Sequence, residues 1–261
     1  IYTLSLHDAL PIYELVGKLY GIGVGPGDSE LLTVKAVRLL QEADVIAVPD
    51  IGHGRQTAQG IIELYIEEKE LLNCSTPMVR DRAAADASYD RIADQVCERL
   101  AAGKTVAYAT LGDPTVYSTY VRIHQRVVAR GFEAEIVPGV TSFCAVAARL
   151  GMALCEGAER LTIVPTSTTL GAKGLPSDLP TSTVYMKVGR DMGRLSAFLR
   201  ERGEFDRAAA VANCGLLDEV VYENLSEAEG ECAYFSTVIV PRERMHSDRA
   251  AEDGAKGEDN A

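Results

Sequence analysis

Paired cysteines are what this chain most visibly lacks. Its six (Cys74, Cys97, Cys144, Cys155, Cys214 and Cys232) are scattered without a C-x-x-C pair. That excludes the tight ligand spacing of a structural zinc site and the framework of a disulfide-stapled domain. Their neighbours are mostly apolar, so the sequence predicts buried thiols in a reducing cytoplasm. Histidine is scarce as well: His7, His53, His124 and His246 are the four present. None stands in a triad-like arrangement with Ser, Cys or a carboxylate, and there is no G-x-S-x-G elbow. Nucleophilic or metal-dependent hydrolysis is therefore unsupported, and no metal site is expected. No apolar run approaches the ~18 residues that span a bilayer. Positive charge is also short, and a formal net charge of −12 argues against a nonspecific nucleic-acid binder.

What is present fits a globular enzyme. The 261 residues, 47% apolar and 25% charged, leave room for one large domain or two smaller ones with a real core. The segment Ile1–Ile12 is set aside: it lacks the features of a signal peptide and resembles a translated sequencing-adapter remnant. From Lys18 on, short apolar runs alternate with helical periods. Strands are expected at Lys18–Val24, Val45–Val48, near Leu71, at Val106–Ala109 and at Ala134–Val137. The helices between them include one capped by Asp28 and Ser29, one over Asp86–Ala102 ended by Gly103, and one over Val116–Arg130. That alternation predicts parallel βαβ units and a doubly wound sheet.

The pattern changes after Pro138-Gly139. Strands are expected at Leu161–Val164, Ser182–Lys187, Ala208–Ala212, Glu219–Asn224 and Tyr234–Val240, with helices over Phe143–Leu150 and Gly193–Arg202. The last two strands have no helix between them, which predicts antiparallel pairing. Thr166–Pro180, rich in Ser, Thr, Gly and Pro, reads as a loop able to cover a cleft. The expected organisation is residues 1–17 foreign or disordered, an N-terminal α/β domain at 18–135, a mixed-sheet C-terminal domain at 136–241, and an acidic disordered tail at 242–261.

Two glycine corners carry the chemistry. Gly21-Ile22-Gly23-Val24-Gly25-Pro26-Gly27-Asp28 follows the first strand, and Leu111-Gly112-Asp113-Pro114-Thr115-Val116-Tyr117-Ser118-Thr119 follows the fourth. Open α/β sheets bind ligands outside the carboxyl ends of their strands, so two such corners suggest one small-molecule site. The first fails as a dinucleotide fingerprint, because Pro26 takes the place of the third glycine and removes an N–H. Asp28 reads as a helix cap or a site residue, and Asp113 and Tyr117 as site residues or as cap and packing. Arg80 and Arg82 read as anion-facing or as part of a solvated loop.

Four pieces in order resemble the tetrapyrrole (corrin/porphyrin) methyltransferase family. They are Gly23–Asp28 with Leu31-Leu32-Thr33, Leu111–Pro114, Pro138-Gly139-Val140-Thr141-Ser142-Phe143, and Tyr185-Met186-Lys187. Thr115–Thr119 and Ser142–Ala145 look most like the precorrin-2 C20-methyltransferases, metal-free or cobalt-containing. The resemblance implies a two-domain α/β fold with its active site in the cleft between the domains, a homodimer, and S-adenosylmethionine as methyl donor. It also implies donor contacts from Pro26, Leu111, Gly112, Asp113, Val116, Thr141, Ser142, Met186 and Asn213. Relatives that methylate uroporphyrinogen tend to carry a second glycine where this chain has Leu111, which argues against that substrate. Tyr117 and then Asp113 are the candidates for steering the macrocycle or a proton. Arg80, Arg82, Lys187 and Arg190 are the cations expected to gather the substrate's carboxylates. The alternatives are methylation at another tetrapyrrole position, a diphthine or ribosomal-RNA substrate, and a non-catalytic nucleotide-binding module.

Overall fold

The computed structural model describes residues 17–50, 57–75, 82–166, 181–228, 232–233 and 235–242. The expected cleft-covering loop, from residue 167 on, lies outside them, as do Arg80, the first sixteen residues and the acidic end. The chain divides into two compact units, residues 1–140 and 141–261.

The first unit is a parallel sheet of five strands: β1 (Leu19–Gly23), β2 (Val45–Asp50), β3 (Glu70–Ser75), β4 (Val106–Thr110) and β5 (Ala134–Val137), in the order β3-β2-β4-β1-β5. Strand alternation decides which helix covers which face. Val45 and Ala47 of β2 and Val106 and Tyr108 of β4 pack with Ile92, Val96 and Leu100 of α3 (Arg82–Ala101) and Ile123 and Val127 of α4 (Tyr120–Ala129). Ile46, Val48, Ala107 and Ala109 pack on the other face with Leu39 and Leu40 of α1 (Val34–Glu42) and Ile61 and Ile62 of α2 (Thr57–Ile62). Strands buried on both faces read as the unbroken apolar runs of the sequence.

Helix starts differ from expectation. Asp28 accepts from the Glu30 N–H at 2.8 Å, but it caps only a 3-10 turn at Ser29–Leu31. The helix proper opens at Val34, where the Thr33 hydroxyl accepts from Ala36 N–H at 3.1 Å. Val34 is then left exposed, because Ala36, Leu39 and Leu40 supply the buried stripe. Likewise α4 begins at Tyr120, and the preceding residues from Leu111 form a loop.

The second unit holds β6 (Arg160–Pro165), β7 (Thr181–Met186), β8 (Ala209–Ala212), β9 (Val220–Tyr222) and β10 (Ser236–Val240), ordered β6-β7-β10-β8-β9. Only β6 and β7 run parallel, and the other neighbours are antiparallel. The expected pairing of the last two strands is overturned. Every residue of β10 is buried, which requires a central place, whereas β9 is short, half exposed and confined to the edge. A turn at Leu225–Ala228 separates them and seats Leu225 in the core, with its N–H on the Ala208 carbonyl at 3.1 Å. Helix α6 (Met192–Glu201) packs Met192, Leu195 and Leu199 against this sheet, and α5 (Ser142–Arg149) lies against β8 and β10. Among the described residues no helix is long and apolar enough to cross a membrane.

The thiols divide where sequence reading had them uniformly buried. Cys74, Cys97 and Cys214 are buried, Cys232 is intermediate, and Cys144 and Cys155 are exposed. Apolar neighbours in sequence do not bury Cys144, which falls on the open face of α5 while Phe143, Val146 and Ala147 face inward. Burial pushes the Cys74 thiol up to about 12. Native-state alkylation at neutral pH is therefore expected to modify Cys144 and Cys155 first and to reach Cys74 only on unfolding, as peptide mass mapping will read.

Candidate functional site

Strand order and helix placement create a switch point in the first unit. β1 and β4 are adjacent and parallel, yet the helix after β1 covers one face and the helix after β4 the other. The chain departs in opposite directions from neighbouring strand ends, which opens a crevice between the two following loops, the usual ligand position in such sheets. Those loops are the two glycine corners.

Backbone approaches backbone there. Gly25 and Gly112 form an isolated bridge, with N–H to C=O at 3.3 Å one way and 2.7 Å the other. Both need left-handed conformations, with φ of +78° and +69°, which glycine adopts without steric cost. The loop after β5 closes the group. A Cβ placed on Gly23 would lie 2.6 Å from both the Gly112 carbonyl oxygen and the Gly139 nitrogen, and one on Gly139 would strike the same oxygen. Pro26 is buried beside this bridge, while Leu111, Gly112 and Val116 are half-buried. Leu111 packs on the α1/α2 side of the sheet.

Asp113, 8% exposed, holds the loops in register. One carboxylate oxygen accepts from the Thr115 N–H at 2.8 Å and from the Thr115 hydroxyl, and the other accepts from the Gly139 N–H at 3.0 Å. Beyond it, Ser118 fixes the far end of the loop, its hydroxyl 2.9 Å from that of Thr110 and accepting from Tyr120 N–H at 3.2 Å. Tyr117, between these anchors, has a φ of +48° and is 43% exposed. A left-handed tyrosine is uncommon and costs on the order of 1–3 kcal/mol, so the anchors must hold it there.

In the second unit β6, β7 and β8 end at one edge of the sheet, since β7 and β8 both run antiparallel to β10. Met186 is half-buried there, and its carbonyl accepts from the buried Thr166 hydroxyl at 3.0 Å. Lys187 follows it with φ +57°, so β7 ends one residue earlier than expected. Asn213, with φ +52°, donates its N–H to Phe235 O at 3.1 Å. Glu219 locks the adjoining loop: desolvation alone would raise its carboxyl, but the Gly215 N–H at 2.8 Å and Arg149 Nε at 2.6 Å hold it below the ordinary range. Thr141 stands at the N-cap of α5 without the usual capping bond, and its hydroxyl is buried with no partner among the described residues. Ser142 follows it, half-buried.

Leu111, Gly112, Asp113, Val116 and Tyr117 thus lie on the loop after β4, which the Gly25–Gly112 bridge ties to the loop carrying Pro26. Met186, Lys187 and Asn213 share one sheet edge of the second, and Thr141 and Ser142 open its first helix. Of the expected cations, Arg190 is exposed on the turn after β7, and the Arg82 side chain lies outside the described residues. Sequence reading gave no role to Glu219 or Thr166, whose partners are distant in the chain and carry no local motif.

The chain resembles known proteins over most of its length. Residues 18–229 match the model of the Tetrapyrrole (Corrin/Porphyrin) Methylases. It is 34% identical over 235 residues to the precorrin-2 C(20)-methyltransferase of Sinorhizobium sp, covering 87% of this chain and 96% of that one. It is 32% identical over 231 residues to the cobalt-precorrin-2 C(20)-methyltransferase of Salmonella typhimurium, covering 87% and 97%. Among solved structures it resembles uroporphyrin-III-C-methyltransferase from Thermus thermophilus, with TM-score 0.62 and 25% identity over 87% of this chain and 92% of that one. A structure of that Thermus enzyme complexed with S-adenyl homocysteine matches with TM-score 0.60 at 24% identity, covering 86% and 97%.

Proposed function

From the premise that this chain belongs to the tetrapyrrole (corrin/porphyrin) methylases, we propose that it transfers a methyl group from S-adenosylmethionine to C20 of precorrin-2 or cobalt-precorrin-2. The observation that supports the donor assignment is the β1/β4 switch point, where the loops after β1, β4 and β5 meet so closely that no Cβ fits at Gly23 or Gly139. The buried hydroxyl of Thr141, without a partner among the described residues, is compatible with the same reading. The substrate rests on the two C20 relatives, which match this chain nearly end to end.

The donor supplies a methyl already activated on a sulfonium, so the protein needs no covalent nucleophile. Its work is alignment, and holding two reactants in line can contribute up to roughly 7–11 kcal/mol. In this reading Pro26, Leu111, Gly112 and Val116 are the first unit's donor contacts, and Thr141, Ser142, Met186 and Asn213 are those that the family resemblance implies for the second. Asp113 keeps the cradle closed, because its carboxylate is engaged with Thr115 and Gly139. Tyr117 steers the macrocycle from its exposed loop position. The reading carries with it a cytoplasmic homodimer.

Anaerobic incubation with precorrin-2, with and without cobalt, and a carbon-13 methyl donor is expected to place the label on C20 by NMR. Label on another ring carbon would assign the chain to a different step, and label on none would overturn the reading.

A further inference from the structure

The loop after β4 is anchored twice, to different parts of the sheet. Its first part hangs on the neighbouring corners. Gly112 is bridged to Gly25, the Asp113 carboxylate accepts from Thr115 and Gly139, and Val116 N–H donates to Asp113 O at 3.2 Å. Its last part hangs on the strands themselves. The Ser118 hydroxyl lies 2.9 Å from the hydroxyl of Thr110, the final residue of β4, and accepts from Tyr120 N–H at 3.2 Å. Tyr120, fully buried, lays its ring over Gly21 in the middle of β1, and a Cβ on Gly21 would collide with that ring. The same ring stands 5.3 Å from that of Tyr108, the β4 residue paired with Gly21, and its hydroxyl bonds His124 at 3.1 Å. A glycine inside a strand often marks a place where another group approaches closely. Here that group is the first side chain of α4, which keys the helix to the central strand pair.

Tyr117 falls where the two anchored parts meet, left-handed at φ +48° and with its side chain 43% exposed. We propose that Ser118 and Tyr120 are positioning residues for the acceptor. They fix Tyr117, the residue assigned to the macrocycle, while the first anchor serves the donor; this rests on the C20-methylation reading above. A tyrosine held in a disfavoured conformation returns to the ordinary regions once its anchor is released, and its ring moves with the backbone. Because the two anchors use different partners, loss of the second leaves the Gly25–Gly112 bridge and the Asp113–Gly139 bond in place. Donor binding and tetrapyrrole acceptance are then separable properties of one loop.

The test uses the full chain with precorrin-2, its cobalt form and labelled donor, comparing wild type with T110V, S118A, T110V/S118A, Y120F and Y120A. At saturating donor, kcat/KM for the tetrapyrrole is expected to fall ~10–100-fold in S118A and Y120A, the scale of a small misplacement. Calorimetric affinity for S-adenosylhomocysteine is expected to stay within about threefold. T110V/S118A should lose no more than S118A alone, because both substitutions remove one shared bond. Y120F keeps the ring over Gly21 and should recover most of what Y120A loses. Should Y120A fail to fold, S118A and the double variant decide alone. A lower melting temperature in S118A with kcat/KM unchanged would mark a purely structural role and overturn the proposal. An equal loss of S-adenosylhomocysteine affinity would also overturn it, since the loop would then act as one piece. The methylation reading survives either result. No transfer by wild type to either tetrapyrrole would overturn both.

Discussion

Gly139→Ala is expected to abolish donor binding while leaving the secondary structure in place. The added methyl would meet the Gly112 carbonyl oxygen and would sit 2.7 Å from the Gly23 carbonyl carbon. These are backbone atoms at the ends of central strands, so no flexible side chain can yield. One of the three loops must move, and the Gly25–Gly112 bridge and the Asp113–Gly139 bond move with it. Overpacking of this kind costs typically ~1–3 kcal/mol of stability, which a two-unit chain of this size can absorb. The binding loss should be larger, more than about a hundredfold, because a ~1 Å displacement removes aligned backbone contacts together. Calorimetry with S-adenosylhomocysteine, with circular dichroism as the folding control, reads both effects. Gly60→Ala is the matched control: a Cβ there meets nothing within 4 Å, and affinity should be unchanged. Wild-type affinity in Gly139→Ala would mean that the crevice is not where the donor sits.

Asp113→Ala is expected to be the second largest change. Its carboxylate serves the Gly139 N–H, the Thr115 N–H and the Thr115 hydroxyl. Removing it orphans donors in a mostly buried place, at roughly 1–3 kcal/mol for each one that water cannot reach. Asp113→Asn is the discriminating variant. An amide keeps the shape but offers a single acceptor oxygen, so one of the two loops is released. If Asp113 positions the loops, Asn should raise the KM for the donor about tenfold or more with a modest loss of kcat, the signature of lost binding common to ground and transition states. A collapse of kcat at unchanged KM would instead make Asp113 a participant in the chemistry.

Legibility differed by element. The apolar runs Val45–Val48 and Val106–Ala109 announced buried parallel strands because each is covered on both faces. Gly103, left-handed at φ +78°, ended α3 as its place in the sequence required. The place of β10 was not legible. Nothing in Ser236–Val240 says that it inserts between β7 and β8, since that choice depends on which strand can be buried on every side. Thr33 rather than Asp28 starts α1 for a similar reason: both are good caps, and the burial of Ala36, Leu39 and Leu40 selects between them.

In the site the division is sharper. Pro26, Gly112, Asp113 and Tyr117 stand out in the chain as residues of unusual corners, and the ordered motifs carry the family resemblance without any coordinates. What those residues touch was decided by tertiary structure alone. Asp113 meets Gly139 because β4 and β5 flank β1, and Gly23 must be glycine because two other backbones press on it. The left-handed backbones of Tyr117 and Lys187 likewise depend on bonds to distant segments. Periodicity, caps and breakers are local properties that a chain carries in its order of residues. Strand order, close backbone approach and locked strain arise only when segments far apart in sequence compete for the same buried space.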